Sequence, residues 1–342
     1  MKNFLWSLLA IFLLISYESR AATVTSSSQT TAINFGKVAP GTSVGTVTAA
    51  GVVTGGVKKL GGNVNGSFSI NATNTSTATS GLRIIIFLSP RPTSMTGTPG
   101  GTLTLAPTIT SPLPSGCTQV AVNTRLQCTN PTTTNGNVKN WVIPFYATAS
   151  AIATTQTVGN YVSGSYSIVA CSCCSAIGTP ALCTSAGCPT LVSDYRCTTA
   201  GLGRTLTGTI PLRIITALSI TAGTNLAFGT VAASGTAGTI TQAGAVTGGV
   251  TAISSTRSAG TFTVSGETNG TPIPYTFTLP ATTSLTGPGT ALVATLSYSS
   301  GSGARTLSAG GTDTVTINGR LAIGANQTLG TYTGTYNVTV NY

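Results

Sequence analysis

The sequence predicts an all-β protein with two tandem β-sandwich domains. Three observations support this prediction: a composition that favours strands, a segment that occurs twice, and short runs in which apolar and polar residues alternate. The 342 residues include 67 Thr and 42 Gly, whereas only 6% are charged. Because Thr and Val favour strands and Gly marks turns or bulges, the composition excludes helix bundles and coiled coils.

The first 21 residues are predicted to be a secretory signal peptide. Lys2 precedes an apolar run at residues 4–15, and small residues flank a cleavage point between Ala21 and Ala22. A membrane anchor is the alternative, but this run is shorter than the roughly twenty residues needed to span a bilayer. The sequence therefore predicts an exported protein, secreted or at the cell surface, with no stable membrane span.

An internal duplication is the next feature. Residues 33–57 and 226–250 align without a gap at an offset of 193, and 14 of the 25 aligned positions are identical. A looser match near the end of each copy relates residues 158–168 to residues 329–338. Repeats of this kind are typical of two domains of the same design.

The duplication predicts where the domains lie. The first β-sandwich is expected at residues 22–170 and the second at residues 205–342, with a Cys-rich, disulfide-bonded linker at 171–204 between them. Each predicted domain has the length of an ordinary single domain, so each can bury a core of its own.

Short strands divided by turn residues indicate the type of sandwich. Two apolar runs, at residues 82–88 and 141–146, predict fully buried strands, whereas Asn269-Gly270 and Asn318-Gly319 predict turns. Residues 91–137 are Pro- and Thr-rich and are expected to form an elaborated loop. Many short strands at this spacing favour an immunoglobulin-like sandwich over a barrel. Period-two alternation predicts further strands at residues 68–70, 261–264, 275–279, 314–317 and 336–340.

All eight cysteines lie in the first copy and the linker. In an exported chain an even number of cysteines predicts disulfides. Cys117 and Cys128 would close one loop, and the other six allow fifteen pairings, which stay open. A zinc site is the weaker alternative, because the linker does not show the paired Cys-x-x-Cys units of such sites and the chain has no His. The eight are Cys117, Cys128, Cys171, Cys173, Cys174, Cys183, Cys188 and Cys197.

The inventory of catalytic side chains argues against an enzyme. General acid–base chemistry near neutral pH usually needs His or paired carboxylates, and no stretch of this chain offers either. Residues 41–45 fit the G-x-S-x-G pattern of serine hydrolases, but without His nothing activates Ser43. We expect no catalytic residue, no metal and no cofactor. The acids of the chain are Glu18, Asp194, Glu267 and Asp313.

The charge is basic but dispersed. Without the signal peptide the chain has 13 basic and 3 acidic residues, and Lys58-Lys59 is the one adjacent basic pair. A nucleic-acid site would show clustered bases with aromatic residues between them. The sequence therefore predicts no nucleic-acid partner, while loose attraction to acidic polysaccharide or lipid headgroups stays open.

Five segments of the second copy carry a family resemblance. In their order they resemble the bacterial secreted domain DUF4402, which is related to spore coat U and the archaic chaperone–usher pilins. The resemblance covers about residues 211–342 and is weaker in the first copy. It implies a pilin-like fold at the bacterial cell surface. The segments are residues 226–231, 260–266, 275–280, 321–324 and 330–342.

The C-terminal segment also resembles the last strand of fimbrial subunits, where a Gly and an aromatic residue lie twelve positions apart, like Gly330 and Tyr342. The resemblance implies that residues 336–342 form an assembly strand, which a chaperone holds until a neighbouring subunit completes the sandwich by strand addition. Residues 22–32 are a candidate for such a donated extension. In the first copy Cys171 stands where the terminal Tyr is expected. The implied assembly residues are Gly330, Tyr332, Tyr336, Val338, Val340 and Tyr342.

These features favour a non-enzymatic surface protein, either a fimbria- or pilus-like structural subunit or an adhesin. Its expected partners are copies of itself, other surface subunits, a periplasmic chaperone and an usher. The competing hypothesis is a free-standing secreted binding module, for example for glycans, in which both sandwiches are complete. The two hypotheses differ in whether a sandwich has an open edge.

Overall fold

The chain forms two compact all-β units. The N-terminal unit ends at Ile214, and the C-terminal unit covers Ile215–Tyr342. The predicted signal peptide and the five cysteines from Cys173 to Cys197 lie outside the described residues. Within the described residues, no helix is long and apolar enough to cross a membrane. The computed structural model describes residues 23–73, 82–109, 112–121, 124–130, 136–172, 203–268 and 273–342.

The N-terminal unit is built from the strands that follow. They are β1 (Thr23–Thr31), β2 (Asn34–Ala39), β3 (Gly45–Thr48), β4 (Lys58–Val64), β5 (Gly66–Thr73), β6 (Leu82–Leu88), β7 (Ser94–Thr98), β8 (Thr102–Thr108), β9 (Cys117–Ala121), β10 (Arg125–Asn130), β11 (Val138–Ile152), β12 (Gly159–Ser163), β13 (Tyr166–Ser172), β14 (Gly203–Gly208) and β15 (Pro211–Ile214).

These strands form two sheets around one core. The larger sheet has the order β1-β5-β11-β8-β7-β12-β15-β2-β4, with β3 also on β11, and the smaller has the order β14-β13-β6-β10-β9. Phe68 and Ile143 from the larger sheet meet Ile84 and Ile168 from the smaller one in the core, where Trp141 is 1% exposed. Alternating burial along β5 and β8 matches the period-two pattern.

The C-terminal unit contains a second set of strands. They are β16 (Ser219–Ala222), β17 (Val231–Thr241), β18 (Val246–Ala252), β19 (Gly260–Ser265), β20 (Ile273–Thr278), β21 (Thr282–Leu285), β22 (Leu292–Tyr298), β23 (Ala304–Leu307), β24 (Thr312–Ile323) and β25 (Thr339–Asn341).

The C-terminal unit is also an immunoglobulin-like sandwich. One sheet has the order β16-β19-β24-β17-β18, with β22 on β24 and β21 on β22, and the other has the short order β23-β20-β25. Val264 and Ile317 of the first sheet and Phe277 of the second lie in its core.

The duplication is confirmed by equivalent strand pairing in the two units. Val47 in β3 lies opposite Ala149 of β11, and its counterpart Ile240 in β17 lies opposite Leu321 of β24. β5 pairs with β11 as β19 pairs with β24. Two copies of one sequence therefore form the same layout of three neighbouring strands.

The structure differs from the sequence-based expectation at the boundary between the units. β14 and β15 lie in the N-terminal unit, although residues 205–214 were assigned to the second domain. The reason is pairing, because β14 forms a six-residue ladder with β13 while β15 pairs with β12 and β2.

Two local predictions were wrong. Residues 91–137 are not a simple loop, since β7, β8, β9 and β10 lie there. Asn318-Gly319 is not a turn but the middle of β24. A Cβ at Gly319 would come within 2.8 Å of the Leu226 and Phe228 side chains, so a close packing contact explains this Gly.

Candidate functional site at the open edge of the C-terminal unit

β25 is an edge strand with one free side. It pairs with β20 through Thr276↔Asn341, Phe277↔Val340 and Thr278↔Thr339. No strand among the described residues pairs with its other side. The predicted assembly strand at residues 336–342 is therefore regular only from Thr339 to Asn341. An edge of this kind presents unpaired N–H and C=O groups to an incoming strand.

Apolar side chains beside this edge are incompletely covered. Tyr336, Val338 and Val340 pack against the C-terminal core, yet each is only half-buried. The Tyr336 ring lies edge-on to the ring of Phe262, with the centroids 6.0 Å apart. Large apolar groups that stay partly open to solvent mark a surface for a partner.

A groove of about 470 Å³ runs between residues 222–228 and residues 332–336. Its apolar lining includes Leu226, Phe228 and Phe262, which lie opposite the aromatic rings of Tyr332 and Tyr336. The groove is thus bordered by the chain that leads into β25 and by the chain that follows β16, the edge strand of the other sheet.

Gly330 and Tyr332, both implied by the resemblance, fix the chain before β25. Gly330 has φ +144°, and a Cβ there would lie 2.5 Å from Cγ of Pro288. The Tyr332 hydroxyl donates to the carbonyl of Thr328 at 2.9 Å and accepts from Nε2 of Gln327 at 2.7 Å. These contacts set the start of the groove.

Tyr342 joins the end of β25 to the start of the unit. Its hydroxyl donates to the carbonyl of Thr216 at 2.7 Å and accepts from the backbone N–H of Glu267 at 3.1 Å. The carboxylate of Glu267, which is 4% exposed, accepts from the N–H of Thr216 at 3.0 Å. Burial raises the pKa of Tyr342 and of Tyr336 above the ordinary value.

The opposite edge of the same sheet carries charge. Arg305 on β23 makes two bonds to the Asp313 carboxylate, at 2.6 and 3.2 Å, and the Tyr275 hydroxyl donates to it at 2.6 Å. The hydrogen bond from Arg305 lowers the pKa of Asp313, and burial raises the pKa of Tyr275 to about 12. Charged edges resist strand pairing, so the apolar edge at β25 is the receptive one.

The N-terminal unit has a strand at the equivalent place. β14 lies antiparallel to β13 and pairs Gly208 with Tyr166, Leu206 with Ile168 and Arg204 with Ala170. Beneath it these β13 residues are fully buried, with Tyr166 3% exposed. A Cβ on Gly208 would lie 2.6 Å from the Tyr166 hydroxyl, so the Gly lets the strand pass over the ring.

The candidate donor extension is also occupied. β1, which contains all but the first and last of residues 22–32, pairs antiparallel with β5 from Thr23↔Thr73 to Thr31↔Ser67. Val24 is fully buried, and Nε2 of Gln29 donates to the Tyr166 hydroxyl at 3.0 Å. This segment is therefore part of the N-terminal sandwich.

The other predicted site residues are placed as follows. Cys117 and Cys128 form a disulfide between the neighbouring strands β9 and β10. Cys171, buried in β13, is also disulfide-bonded. Ser43 lies exposed in the connection from β2 to β3. Ala21 and Ala22 lie outside the described residues.

Three groove residues were not identified from the sequence: Leu226, Phe228 and Phe262. A signal for Phe228 and Phe262 exists in the duplication. Their counterparts in the first copy, Phe35 and Phe68, are 0% and 2% exposed, whereas Phe262 is only half-buried. Period two correctly indicates an inward-facing position but does not show that Phe262 stays half-buried beside the groove.

Two solved structures resemble this chain weakly. The chain is similar to the tip adhesion subunit complex with its chaperone from the archaic chaperone–usher Csu pili of Acinetobacter baumannii, with 12% identity, a TM-score of 0.30 and coverage of 93% of this chain and 100% of that chain. It is also similar to AggA, the major subunit of aggregative adherence fimbriae type I from Escherichia coli, with 13% identity, a TM-score of 0.24 and coverage of 56% and 95%.

Likenesses at these TM-scores carry no argument, and the fold rests on the strand order of the chain itself. No match is found among curated proteins. A family model described as "Domain of unknown function (DUF4402)" matches residues 218–342. The match covers almost all of the C-terminal unit, which is the second of the two tandem β-sandwiches, and less than half of the chain.

Proposed function

We propose that this chain is a non-enzymatic cell-surface subunit, fimbria-like or adhesive, whose C-terminal unit accepts a β-strand from another subunit. One observation carries the proposal: β25 has no described partner on its outer side, while Tyr336, Val338 and Val340 beside it are half-exposed. In strand addition, backbone hydrogen bonds supply affinity and alternate side chains fill pockets. The edge and the adjoining groove offer both.

The N-terminal unit supplies a template for the donated strand. There β14 runs antiparallel to β13 and places Gly208 over Tyr166 and Leu206 over Ile168. Because Tyr336 is the repeat counterpart of Tyr166, we expect the donated strand to run antiparallel to β25. The donated strand should place a small residue opposite Tyr336 and a branched apolar residue two positions earlier. The antiparallel direction matches the last hairpin of a complete immunoglobulin-like sandwich.

The chain accepts a strand but does not donate one through residues 23–31. β1 is engaged along its length by β5, and Val24 is fully buried, so release of β1 would open the N-terminal core. A subunit that accepts without donating ends a fibre. We therefore favour a terminal subunit over a repeating one.

The open edge at β25 indicates which partners the protein needs before and after assembly. An apolar edge exposed in transit is an aggregation hazard, so a periplasmic chaperone and an usher are the expected partners before assembly. After assembly the partner is the donor segment of another surface subunit. Export through the predicted signal peptide belongs to the same proposal.

The first test is self-complementation. A flexible linker and a second copy of residues 203–208 are added after Tyr342 in the chain that starts at residue 22. If the edge accepts a strand, the added ladder raises the melting temperature of the C-terminal unit by about 5 °C or more, which corresponds to one to two kcal/mol in a unit of this size.

The matched control is the same tail with the position of Leu206 changed to Asp, which keeps its length and backbone. An equal rise with both tails, or no rise with either, would contradict acceptance of a strand. Deletion of residues 23–31 provides a second control. It should unfold the N-terminal unit, and a deletion that leaves that unit folded would show that β1 is free to be donated.

A free-standing binding module is the second candidate, because the N-terminal sandwich is complete in itself. Negative-stain microscopy and boiled against unboiled gels of protein from the native surface separate the two. Strand exchange predicts fibres and complexes that dissociate only on boiling. Monodisperse monomers, together with no rise in melting temperature when the tail of residues 203–208 is added, would favour the binding module.

A further inference from the structure

The groove between residues 222–228 and residues 332–336 corresponds to the place that β15 occupies in the N-terminal unit. There β15 lies between two strands of the larger sheet, antiparallel to β12 and parallel to β2. By the repeat, residues 330–333 are the counterpart of β12, and residues 227–232 are the counterpart of β2. These two segments contribute to opposite sides of the groove. The groove is therefore a vacant strand position.

The segment before β25 is paired on one side only. In the N-terminal unit β12 pairs with β7 on one side and with β15 on the other. Its counterpart, residues 330–333, forms one isolated bridge, between Thr333 and Thr286, and no strand of the described chain pairs with it on the groove side. Backbone N–H and C=O groups along such a side can bond to an added strand.

Apolar side chains that are fully buried in the N-terminal unit are partly open around the groove. Ile210, Leu212 and Ile214, which follow β14, are at most 2% exposed and lie in the N-terminal core together with the buried members of these pairs. In the C-terminal unit the equivalent side chains are only half-buried. The pairs are Ile33 and Leu226, Phe68 and Phe262, and Tyr161 and Tyr332.

β14 and β15 are one stretch of chain that crosses from one sheet to the other. β14 pairs with β13 in the smaller sheet, and after two residues β15 pairs with β12 and β2 in the larger sheet. The crossing is held at Ser163, whose N–H donates to the Ile210 carbonyl at 3.1 Å and whose hydroxyl accepts from the Ile210 N–H at 2.9 Å. Residues 203–214 thus extend both sheets of the N-terminal sandwich.

We infer, building on the proposed strand addition at β25, that the donated segment consists of two linked strands and that the second fills the groove. The first strand pairs with β25 as β14 pairs with β13. After a two-residue link, the second strand lies antiparallel to residues 330–333 and parallel to residues 227–232. It places apolar side chains at every second position, as Ile210, Leu212 and Ile214 do in the N-terminal unit.

The chemistry of the groove fits an extended peptide of this kind. None of the residues that line it is charged, so an ionic ligand finds no partner among them. Its lining reaches Ala294 in the C-terminal core, which is 0% exposed. An apolar floor beside an unpaired backbone is what strand addition requires, because alternate side chains fill the pocket while the backbone pairs.

The test uses tails of two lengths on the chain that starts at residue 22. A flexible linker after Tyr342 is followed by a copy of residues 203–208 or of residues 203–214. In calorimetry the longer tail should raise the melting temperature of the C-terminal unit by about 5 °C or more beyond the shorter tail, because it buries further apolar side chains. The matched control is the longer tail with Leu212→Thr/Ile214→Thr, which keeps the β propensity and should lose the further rise.

Hydrogen exchange locates each half of the tail. The shorter tail should slow exchange at residues 339–341, and the longer tail should also slow it at residues 330–333, by roughly tenfold or more. A rise with the shorter tail and neither further rise nor added protection with the longer one would overturn the two-strand donor and leave strand addition at β25 intact. A further rise that survives in the Thr control would also overturn it. No rise with either tail would contradict strand addition itself.

Discussion

The two units place equivalent residues in opposite environments. Tyr166 and Ile168 on β13 are 3% and 1% exposed, whereas their repeat counterparts Tyr336 and Val338 are half-buried. The difference comes from β14, which covers β13 in the N-terminal unit and has no described equivalent beside β25. Among the described residues, this edge of the sandwich is therefore covered in the N-terminal unit and open in the C-terminal unit.

The units also differ in how the end of this strand is held. In the N-terminal unit Cys171 is buried and disulfide-bonded. In the C-terminal unit the hydroxyl of Tyr342 bonds to Thr216 and Glu267. The end of β13 is thus tethered covalently, whereas the end of β25 is held by hydrogen bonds.

The largest expected effect compares the two equivalent tyrosines. Tyr166→Ala removes a fully buried ring and should destabilise the N-terminal unit by about 3–5 kcal/mol, as large-to-small core changes do. Tyr336→Ala removes a half-exposed ring and should cost the C-terminal unit roughly half as much, about 2 kcal/mol, because less apolar area is lost.

The chain offers a clean measurement of this difference. Its two Trp residues are Trp6 in the predicted signal peptide and Trp141 in the N-terminal core, so Trp fluorescence of the chain from residue 22 follows the N-terminal unit alone, and calorimetry follows both units. Equal costs for the two substitutions would mean that Tyr336 is already covered. With the complementing tail attached, the cost of Tyr336→Ala should rise towards that of Tyr166→Ala.

The duplication in the sequence was enough to predict the two sandwiches, whereas the aromatic residues near β25 were named only from the resemblance to fimbrial subunits. It did not predict β14, for a physical reason. Residues 203–208 contain one apolar side chain, at Leu206, so no period-two signal is present. The strand is defined instead by its backbone pairing with β13, whose residues lie on the other side of the Cys-rich segment in the sequence. Local pattern similarly misplaced Asn318-Gly319, where the constraint on the Gly comes from distant residues.

An intermediate effect should appear on acidification of the C-terminal unit. Arg305 lowers the pKa of Asp313 below its ordinary 3.8. Since the folded state holds the carboxylate more strongly than the unfolded state, this stabilisation is present above pH 3.8 and is lost as the pH falls through the folded pKa. The calorimetric transition of the C-terminal unit should then move down, and Asp313→Asn should remove that dependence.

The same cluster predicts a loss of stability of the C-terminal unit at alkaline pH. The folded pKa of Tyr275 is raised from 10.0 to about 12. Its contribution is fully present below pH 10 and is lost as the pH rises through about 12. Tyr275→Phe should flatten the decline in this window.

A C-terminal transition as insensitive to acid as the Trp141 signal would show that the Arg305–Asp313 pair adds nothing to stability.

The smallest expected effect concerns the hydroxyl of Tyr342. Tyr342→Phe removes one bond to the Thr216 carbonyl and one from the Glu267 N–H, and should cost about 1–2 kcal/mol at the usual net value of a hydrogen bond. Hydrogen exchange should accelerate in β25, because the substitution frees its end.

Tyr298→Phe is the matched control for this substitution. It removes a hydroxyl bond to the Phe277 carbonyl inside the same unit but leaves the end of β25 tied to Thr216. It should cost a similar stability per bond without faster exchange at residues 339–341. If both variants accelerate exchange there equally, β25 is ordered by the unit as a whole. The other outcome is faster exchange in Tyr342→Phe alone. If the added copy of residues 203–208 also binds more weakly in that variant, the Tyr342 hydroxyl keeps the open edge in the conformation that a donated strand needs.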